Sequence, residues 1–330
     1  MDELLGLLSA NACVSGEGLC QRLGITRAAV WKRVEKLRAQ GYDIRSAGRL
    51  GYRLVPVDNS LLPGYVARDL TTRWAGRGEI RYRAEMGSTN AEARELARAG
   101  APQGSLALCD QQTAGRGRLG RAWVTPKGVA LTVSVVLRPR LETELAQLCT
   151  LAAAVAACQA VEEVCGLTPG IKWPNDVVLD GRKLVGILSE MYAGADGLSC
   201  VVPGVGFNVN QERFDGELAD KAVSLLMRRR QTDPAARPIC RRKLLVAFLS
   251  HLENAVDALE REGMAGIRTA YEARAVMLGR EVRVVGAQES YTALALGVDN
   301  TGALLVRDSD GTMRRVLSGD VSVRGLMGYC

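Results

Sequence analysis

The stretch Gln112-Thr113-Ala114-Gly115-Arg116-Gly117-Arg118-Leu119-Gly120-Arg121 combines three glycines with three arginines within ten residues. Glycine lets a backbone turn tightly and approach a ligand closely. Arginine carries a fixed positive charge on a planar fork that fits phosphate or carboxylate. On composition alone, this stretch suits a solvated basic turn as well as a loop that closes over an anion.

Length and composition indicate an ordinary globular protein with two or three domains. The 330 residues are 47% hydrophobic and 24% charged, and domains commonly span about 100–200 residues. The formal net charge of +7 permits an anionic partner such as a nucleotide or nucleic acid. No basic-then-apolar signal segment opens the chain, and the longest apolar run, residues 148–157, is too short to span a membrane. We therefore expect no membrane association.

Cysteine and histidine usage argues against disulfide and metal chemistry. Nine cysteines are scattered without a CxxC pair, so neither a disulfide framework nor a structural metal site is expected. We interpret the cysteines as reduced thiols of a cytoplasmic protein. His251 is the single histidine of the sequence, which nearly excludes histidine-based triads and histidine metal sites.

Residues 1–57 are predicted to form a separate winged helix-turn-helix domain. Ser15 suits the N-cap of a second helix and Thr26 the N-cap of a third. A short helix, a tight turn and another helix form the helix-turn-helix pattern. Two alternating segments, 42–45 and 52–55, flank a glycine-rich tip and add a wing.

The third helix of this domain has a basic outer face. Charge, turn and wing together favour DNA binding, with the helix in the major groove and the wing on the backbone or minor groove. The alternative is a small helical domain with a solvated charged face. The residues predicted to contact DNA are Thr26, Arg27, Lys32, Arg33, Lys36 and Arg49.

Residues 58–270 are predicted to form an α+β domain over a mainly antiparallel sheet. Long helices are expected at 142–165 and 241–262, and Asp180-Gly181 is expected to form a hairpin turn. Residues 271–330 contain five short strands separated by turns, which predicts a small β-barrel.

The segment Ser88-Thr89-Asn90 precedes a helix predicted over 91–99. Thr89 or Asn90 suits the N-cap of that helix, and capping is the preferred interpretation. The alternative is that the hydroxyl and amide groups of these residues bind an uncharged polar ligand.

The polar residues of the middle domain suit a nucleotide and a polar small molecule. Lys183 follows a tight hairpin opposite Trp173-Pro174-Asn175-Asp176, and we expect it to be an exposed cation with little structural role. Asp176 suits a divalent cation beside phosphates, and Lys172 is a further cation nearby. Trp123 offers a flat surface for a purine, and Gln112 adds a neutral hydrogen-bonding group.

The middle domain has no evident nucleophile with an adjacent base. Phosphoryl or nucleotidyl transfer depends mainly on positioning and on well-placed cations, so this absence favours such a reaction. A P-loop motif is lacking. Gly115, Gly117 and Gly120 match the GxGxxG spacing, but no helix clearly follows them, so we treat the match as coincidence.

Three blocks together resemble the signature blocks of biotin protein ligases: Gly115 to Arg121, Lys172 to Asp176, and Lys183 to Leu188. The N-terminal winged helix resembles that of bifunctional members, which also repress biotin synthesis genes. The resemblance implies a catalytic domain similar to class II aminoacyl-tRNA synthetases and an SH3-like C-terminal barrel. Leu119 departs from the pattern, since some relatives carry another arginine there.

The resemblance implies a two-step reaction with ATP and Mg²⁺. The biotin carboxylate attacks the α-phosphate of ATP to give biotinyl-5′-AMP, and a lysine of a biotin carboxyl carrier protein then takes the biotinyl group. Lys183 and Arg118 are the implied catalytic residues. Implied contacts to biotin or its adenylate are Ser88, Thr89, Asn90, Gln112, Gly115, Arg116, Gly117, Arg118, Trp123, Lys183 and Gly186. Implied ATP-associated or Mg²⁺-associated residues are Lys172, Asn175, Asp176 (the Mg²⁺ ligand) and Asn208.

The resemblance further implies a homodimer that forms on adenylate binding and then binds operator DNA. Three alternatives stay open at this point. They are a ligase whose winged helix has no regulatory role, a lipoate-type ligase, and a DNA-binding regulator with a sensor domain.

Overall fold

The computed structural model describes residues 3–10, 13–194, 197–285, 290–317 and 320–323. These residues form an N-terminal helical unit, a central α+β unit and a C-terminal sheet, which confirms the predicted multidomain α+β fold. The tail 325–330, for which the sequence suggests no role, lies outside the described residues. The domain boundaries at 57/58 and 270/271 stay predictions.

The N-terminal unit is a winged helix-turn-helix. Ser15 Oγ accepts a hydrogen bond from Gly18 N, and Thr26 Oγ1 accepts one from Ala29 N, so both predicted N-caps are confirmed. Gly24 ends the second helix at φ 62°, a left-handed conformation that favours glycine. The elements are α1 (Glu3–Ala10), α2 (Gly16–Leu23), α3 (Arg27–Ala39), β1 (Ile44–Ser46) and β2 (Tyr52–Leu54).

Helix α4 (Pro63–Asp69) contributes to two hydrophobic cores at once. Tyr65 is fully buried in the N-terminal core, where its hydroxyl accepts from Asp43 N and donates to Val55 O. Val66, the next residue, is fully buried in the core of the central unit. Because neighbouring residues of one helix belong to both cores, α4 fixes the winged helix against the central unit.

The central unit is built on a seven-stranded sheet. Its strands are β3 (Ile80–Met86), β4 (Leu106–Gln112), β5 (Ala130–Val135), β6 (Gly170–Lys172), β7 (Asp176–Leu179), β8 (Arg182–Gly194) and β9 (Gly197–Asn208). Their order is β3-β4-β5-β9-β8-β7-β6, and only β3 and β4 pair in parallel, so the mainly antiparallel prediction is confirmed. Asp180 and Gly181 join β7 to β8, both with the positive φ that a tight hairpin turn requires.

In the described part of the central unit, five helices accompany this sheet: α5 (Thr89–Arg98), α6 (Leu148–Cys165), α7 (Leu225–Thr232), α8 (Arg241–Glu262) and α9 (Ala265–Glu272). The bounds of α8 match the prediction, whereas α6 starts later than predicted, after a 3-10 turn over Thr143–Leu145. Residues 143–165 are long and apolar enough to cross a membrane, but most of them are buried in the fold. Helix α6 packs against α8 and the sheet, as a core helix does.

The C-terminal strands are β10 (Glu281–Val285), β11 (Ser290–Val298), β12 (Leu304–Asp308), β13 (Met313–Val316) and β14 (Asp320–Val323). They form one antiparallel sheet in the order β13-β12-β11-β10-β14, which confirms the five predicted strands. Their apolar residues continue the core of the central unit. Trp173 Nε1 donates to Gly302 O at 3.0 Å, so a turn of the C-terminal sheet supports the corner at residues 173–175, between β6 and β7.

Candidate active site

A cavity of about 430 Å³ opens over one face of β8 and β9. This volume is within the usual range for small-molecule sites. Most of the residues that the sequence predicts to bind ligand line it. These are Ser88, Thr89, Asn90, Gln112, Arg116, Gly117, Arg118, Trp123, Asn175, Asp176, Lys183, Gly186 and Asn208.

Two predicted site residues, Gly115 and Lys172, are not in the cavity lining. Gly115 O accepts a hydrogen bond from Trp123 N at 2.9 Å, and a Cβ at this position would overlap the Trp123 backbone. This glycine therefore shapes the loop. Lys172 is the backbone neighbour of Asp176 across the antiparallel strands β6 and β7.

Three glycines leave the floor of the cavity without side chains. Gly204 and Gly206 lie two residues apart on β9, and Gly186 pairs with Gly206 from β8. The Trp123 indole lies on this floor, where a Cβ at Gly186 would come 2.8 Å from the indole. Trp123 Nε1 is buried and has no hydrogen-bond partner among the described residues. The glycines thus make room for the flat ring that was predicted to face a purine.

Gly204, Gly206 and Gln211 line the cavity but are absent from the predicted site. The signal that could have found the glycines is the alternation Gly204-Val205-Gly206-Phe207-Asn208. In a strand, residues two apart share a face, so both glycines lie on the same face as Asn208. No local signal marks Gln211.

One end of the cavity is neutral and polar. Helix α5 begins at Thr89 with Ser88 at the N-cap position, so the preferred prediction that Thr89 or Asn90 caps the helix is wrong. Instead, Gln112 Oε1 accepts from Thr89 N and Thr89 Oγ1, at 2.8 and 3.1 Å. Asn90 Nδ2 donates to Glu190 Oε2 at 2.8 Å, and Ser134 Oγ lies 2.6 Å from Asn90 Oδ1. Hydroxyl and amide groups held this way suit an uncharged polar ligand.

The middle of the cavity carries a cation. Lys183 Nζ lies 2.7 Å from Asp176 Oδ1 and 5.6 Å from the centre of the Trp123 ring. The side chain of Lys183 is 23% exposed, and that of Asp176 is 9% exposed. The prediction of an exposed lysine with little structural role is therefore wrong, because Lys183 neutralises a buried carboxylate.

The glycine–arginine loop, which connects β4 to β5, reaches over the corner at residues 173–175. Arg118 Nη1 donates to Asn175 Oδ1 at 3.0 Å. Asn175 is fixed in turn, because its Nδ2 donates to Ile187 O at 2.8 Å. Leu119, at the tip, has φ 55° and is 76% exposed. A left-handed conformation is strained for leucine and is typical of functional loops.

The other end of the cavity is formed by two amide side chains. Gln211 Nε2 donates to Asn208 Oδ1 at 3.0 Å, and Asn208 Nδ2 donates to Lys183 O at 3.3 Å. Along β9, the cavity floor thus passes from Gly204 beside Asn90, through Gly206 under Trp123, to Asn208. At about 3.3 Å per residue, this path is about 13 Å long.

The predicted DNA-contacting residues lie on the outer side of the winged helix. Arg27, Lys32 and Lys36 are exposed on α3. Arg49 is exposed at the wing. Thr26 caps α3 through its hydroxyl. Arg33 is half-buried. Arg38, also on the basic helix, binds Glu35 and Ile44 O and so has a structural role.

Three family models match this chain. Residues 85–208 match the Biotin/lipoate A/B protein ligase family, residues 277–324 match the Biotin protein ligase C terminal domain, and residues 2–53 match an HTH domain. The bifunctional ligase/repressor BirA of Bacillus subtilis is 35% identical over 325 residues, which cover 97% of this chain and 98% of that protein. This chain belongs to the biotin protein ligase family.

One further relative and one solved structure support this family assignment. The bifunctional ligase/repressor BirA of Escherichia coli is 28% identical and covers 98% of the chain and 96% of that protein. A solved structure, the biotin protein ligase from Aquifex aeolicus in complex with biotin and ATP, is similar with a TM-score of 0.63 at 26% identity. The similar region covers 74% of this chain and 98% of the Aquifex aeolicus chain. The family suggested by the three sequence blocks is thus confirmed, with a winged helix and ligase domain in one chain.

Proposed function

We propose that the cavity joins biotin to ATP as biotinyl-5′-AMP, transfers the biotinyl group to a lysine of a carrier protein, and reports the adenylate to the winged helix. The observation that carries this proposal is the order of groups along the glycine floor. Lys183 lies between a neutral polar end and an amide-lined end. Biotin has a neutral ureido ring and a carboxylate tail, so its carboxylate would meet the ATP phosphate beside Lys183.

The first step needs no protein base. A carboxylate is already ionised at neutral pH, so one of its oxygens attacks the α-phosphorus directly. The new C–O–P bond forms as the bond to pyrophosphate breaks. Lys183 stabilises the charge that develops on the phosphate oxygens, and Asp176 holds the lysine in place. This chemistry accounts for the lack of a nucleophile with an adjacent base.

The loop over the site would retain the product of that step. The mixed anhydride is reactive towards water, so it needs a closed site until a carrier lysine arrives. Arg118 donates a hydrogen bond to Asn175, and Arg116 and Arg121 also line the cavity. In the second step the carrier amine attacks the biotinyl carbonyl carbon, and AMP leaves.

Mg²⁺ fits the site as an ion that enters with ATP. Asp176 and Asp215 are carboxylates of the lining, and the described residues contain no group of three His, Cys, Asp or Glu that could hold a metal. Mg²⁺ commonly binds through substrate phosphates with only one or two carboxylates. We propose Asp176 as that carboxylate, and the ion supplies charge neutralisation at the phosphates.

A physical link connects the loop to the winged helix through Arg241, the first residue of α8. Arg241 is 4% exposed and ion-pairs with Asp110 Oδ1 at 2.8 Å. It also donates to Ala130 O at 3.1 Å and to Asn59 Oδ1 at 3.0 Å. Asp110 precedes the loop, Ala130 follows it, and Asn59 lies in the segment before α4. We propose that ordering of the loop is transmitted along this path.

The proposal includes an adenylate-dependent homodimer and a cytoplasmic location. Leu119 and Val124 expose large apolar side chains on the loop, at 76% and 61%. Ordering of the loop by the adenylate would present them to a second copy, and the dimer would bind operator DNA. The eight cysteines within the described residues are free thiols, which supports function in the reducing cytoplasm.

Mass spectrometry of an apo carrier domain tests the ligase. After incubation with this protein, biotin and Mg-ATP, the carrier should gain one biotinyl group. Parallel incubations with lipoate or octanoate should give no modification. Modification by lipoate or octanoate but not biotin would replace the proposal with a lipoate-type ligase.

Binding to a biotin-operon promoter fragment tests the regulatory half. Affinity should fall with salt and should rise when biotinyl-5′-AMP is bound. Carrier modification without any adenylate-dependent change in DNA affinity would leave a ligase whose winged helix is not regulatory. Sedimentation of the same samples should show a dimer only with the adenylate.

A further inference from the structure

Trp31 is the only aromatic side chain that is exposed in the described part of the chain. It is 55% exposed, although tryptophan is highly buried on average in folded proteins. Trp31 is the fifth residue of α3, and its neighbours Val30 and Val34 are buried in the core of the winged helix. Trp31 does not belong to that core, so packing within the domain gives little reason for a tryptophan here.

A second apolar side chain accompanies Trp31 on the surface of α3. Ala28 is exposed one turn earlier in the helix. Residues three apart are neighbours on a helix surface, so Ala28 and Trp31 form a small apolar patch near the start of α3. Because alanine is short, a partner can approach the helix closely beside the tryptophan ring.

The surroundings of this patch are positively charged. Arg27, Lys32 and Lys36 are exposed on the same helix. Glu35 is the single acid in the sequence of α3, and Arg38 pairs with it at 2.6 Å. An apolar patch within a basic surface suits a partner that carries both phosphates and an exposed apolar group, which DNA does.

The position of the patch indicates which part of the DNA it meets. In a helix-turn-helix, the N-terminal residues of the recognition helix contact base edges in the major groove. The base pairs present hydrogen-bond donors and acceptors there, and thymine alone adds a methyl group. Burying that methyl group is favourable for an apolar ring, whereas a charged phosphate is better bound by lysine or arginine.

We propose that Trp31, with Ala28 beside it, packs on the C5-methyl group of a thymine in the operator and so reads the DNA sequence. The basic residues of α3 would supply affinity through phosphates, which carry no sequence information directly, and Trp31 would supply part of the specificity. This inference rests on the proposed DNA binding and names a residue that selects the site.

Replacement of thymine by uracil tests the contact, because it removes only the C5-methyl group from the major groove. Each thymine of a biotin-operon promoter fragment is replaced in turn, and affinity is measured for protein saturated with biotinyl-5′-AMP. The wild type should lose about three- to tenfold in affinity at one or more thymines. Trp31→Ala should bind thymine DNA more weakly by a similar factor and should not distinguish uracil there. A wild type indifferent to every replacement, or a variant with the wild-type ratio, overturns the proposal.

Three further variants keep the test decisive. Leu50→Ala is the matched control, because Leu50 is 70% exposed but lies on the wing, and it should keep the wild-type ratio. Lys32→Ala should keep the ratio and lower the salt slope, whereas an altered slope in Trp31→Ala would overturn the assignment to a base. Trp31→Phe retains an apolar ring, so a lost thymine preference there would contradict the idea even if Trp31→Ala does not fold.

The remaining outcomes separate this inference from others. With the adenylate, Trp31→Ala should sediment as the wild type does, and a variant that alone stays monomeric would assign Trp31 to a contact between protein copies and overturn the proposal. A wild type that does not bind the promoter fragment would overturn the proposed regulation and this role with it. A wild type that binds without any thymine preference would overturn only the role of Trp31.

Discussion

Lys183 Nζ and Asp176 Oδ1 are 2.7 Å apart, at the junction of the hairpin β7–β8 and the cavity. The pair gives one lysine two tasks. It supplies positive charge where phosphate would bind, and it neutralises a carboxylate of which only 9% is exposed. A variant at either position should therefore change stability as well as rate.

Lys183→Ala should slow adenylate formation by about 10²–10³-fold, because a preorganised charge at the developing anion is lost. It should also lower the free energy of unfolding by about 1–3 kcal/mol, since the buried Asp176 carboxylate loses its ion pair with Lys183. Biotin-dependent ATP–pyrophosphate exchange and urea titration measure the two effects. In the double variant with Asp176→Asn, stability should recover while exchange stays slow. Full exchange activity in Lys183→Ala would show that the assignment is wrong.

Arg118→Gly should release biotinyl-5′-AMP faster, by about tenfold, because the loop loses its hydrogen bond to Asn175 and a flanking positive charge. Dissociation of labelled adenylate measures this directly. Asn175→Ala removes the partner from the other side and should show part of the same effect. Equal dissociation rates in Arg118→Gly and the wild type would refute a retaining role for the loop.

Asn59→Gly should weaken the dependence of DNA binding on the adenylate while leaving ligation intact. The variant tolerates the positive φ of 65° at this position but removes the oxygen that accepts from Arg241. Asn59→Asp keeps that acceptor and is the matched control. The readout is the ratio of DNA affinities with and without biotinyl-5′-AMP. A normal ratio in Asn59→Gly would place the coupling elsewhere.

Lys32→Ala and Lys36→Ala should lower DNA affinity and reduce the slope of log K against log salt by about 0.9 for each phosphate that is no longer neutralised. Ligation should be unchanged, because both lysines belong to α3 and neither lines the cavity. Arg261→Ala, an exposed position on α8, serves as the charge control. Loss of ligation in either lysine variant would contradict separable functions.

Glu253 should make the fold sensitive to acid. Burial alone would raise the pKa of Glu253, but hydrogen bonds from the backbone N–H groups of Arg73, Trp74 and Ala75 outweigh it and lower the pKa below 4.5. Its contribution is therefore complete above about pH 4.5 and is lost as the pH falls through the folded pKa. Glu253→Gln should lose about 1–3 kcal/mol at pH 7 and flatten the acid branch of the stability profile. An acid branch identical to that of the wild type would contradict this role.

The elements of the fold were accessible from sequence because their causes are local. The periodicity of α8 predicts its bounds, Ser15 and Thr26 mark helix starts, and Asp180-Gly181 marks a hairpin. The prediction that Thr89 or Asn90 caps α5 was wrong because it relied on the local pattern alone. The local pattern of Thr89 suits a cap, but its hydroxyl is held by Gln112, 23 residues away.

By itself, the sequence determined the order of elements, the three family blocks and the kinds of charge around the ligand, since all of these depend on neighbouring residues. Only the tertiary structure decided that Trp123 lies on Gly186 and Gly206, and that Lys183 neutralises Asp176. Arg241 reaches Asn59 across 182 residues of chain, and no pattern in either segment predicts that hydrogen bond. Packing brings such groups together, because buried charges and amides must find partners wherever the folded core places them.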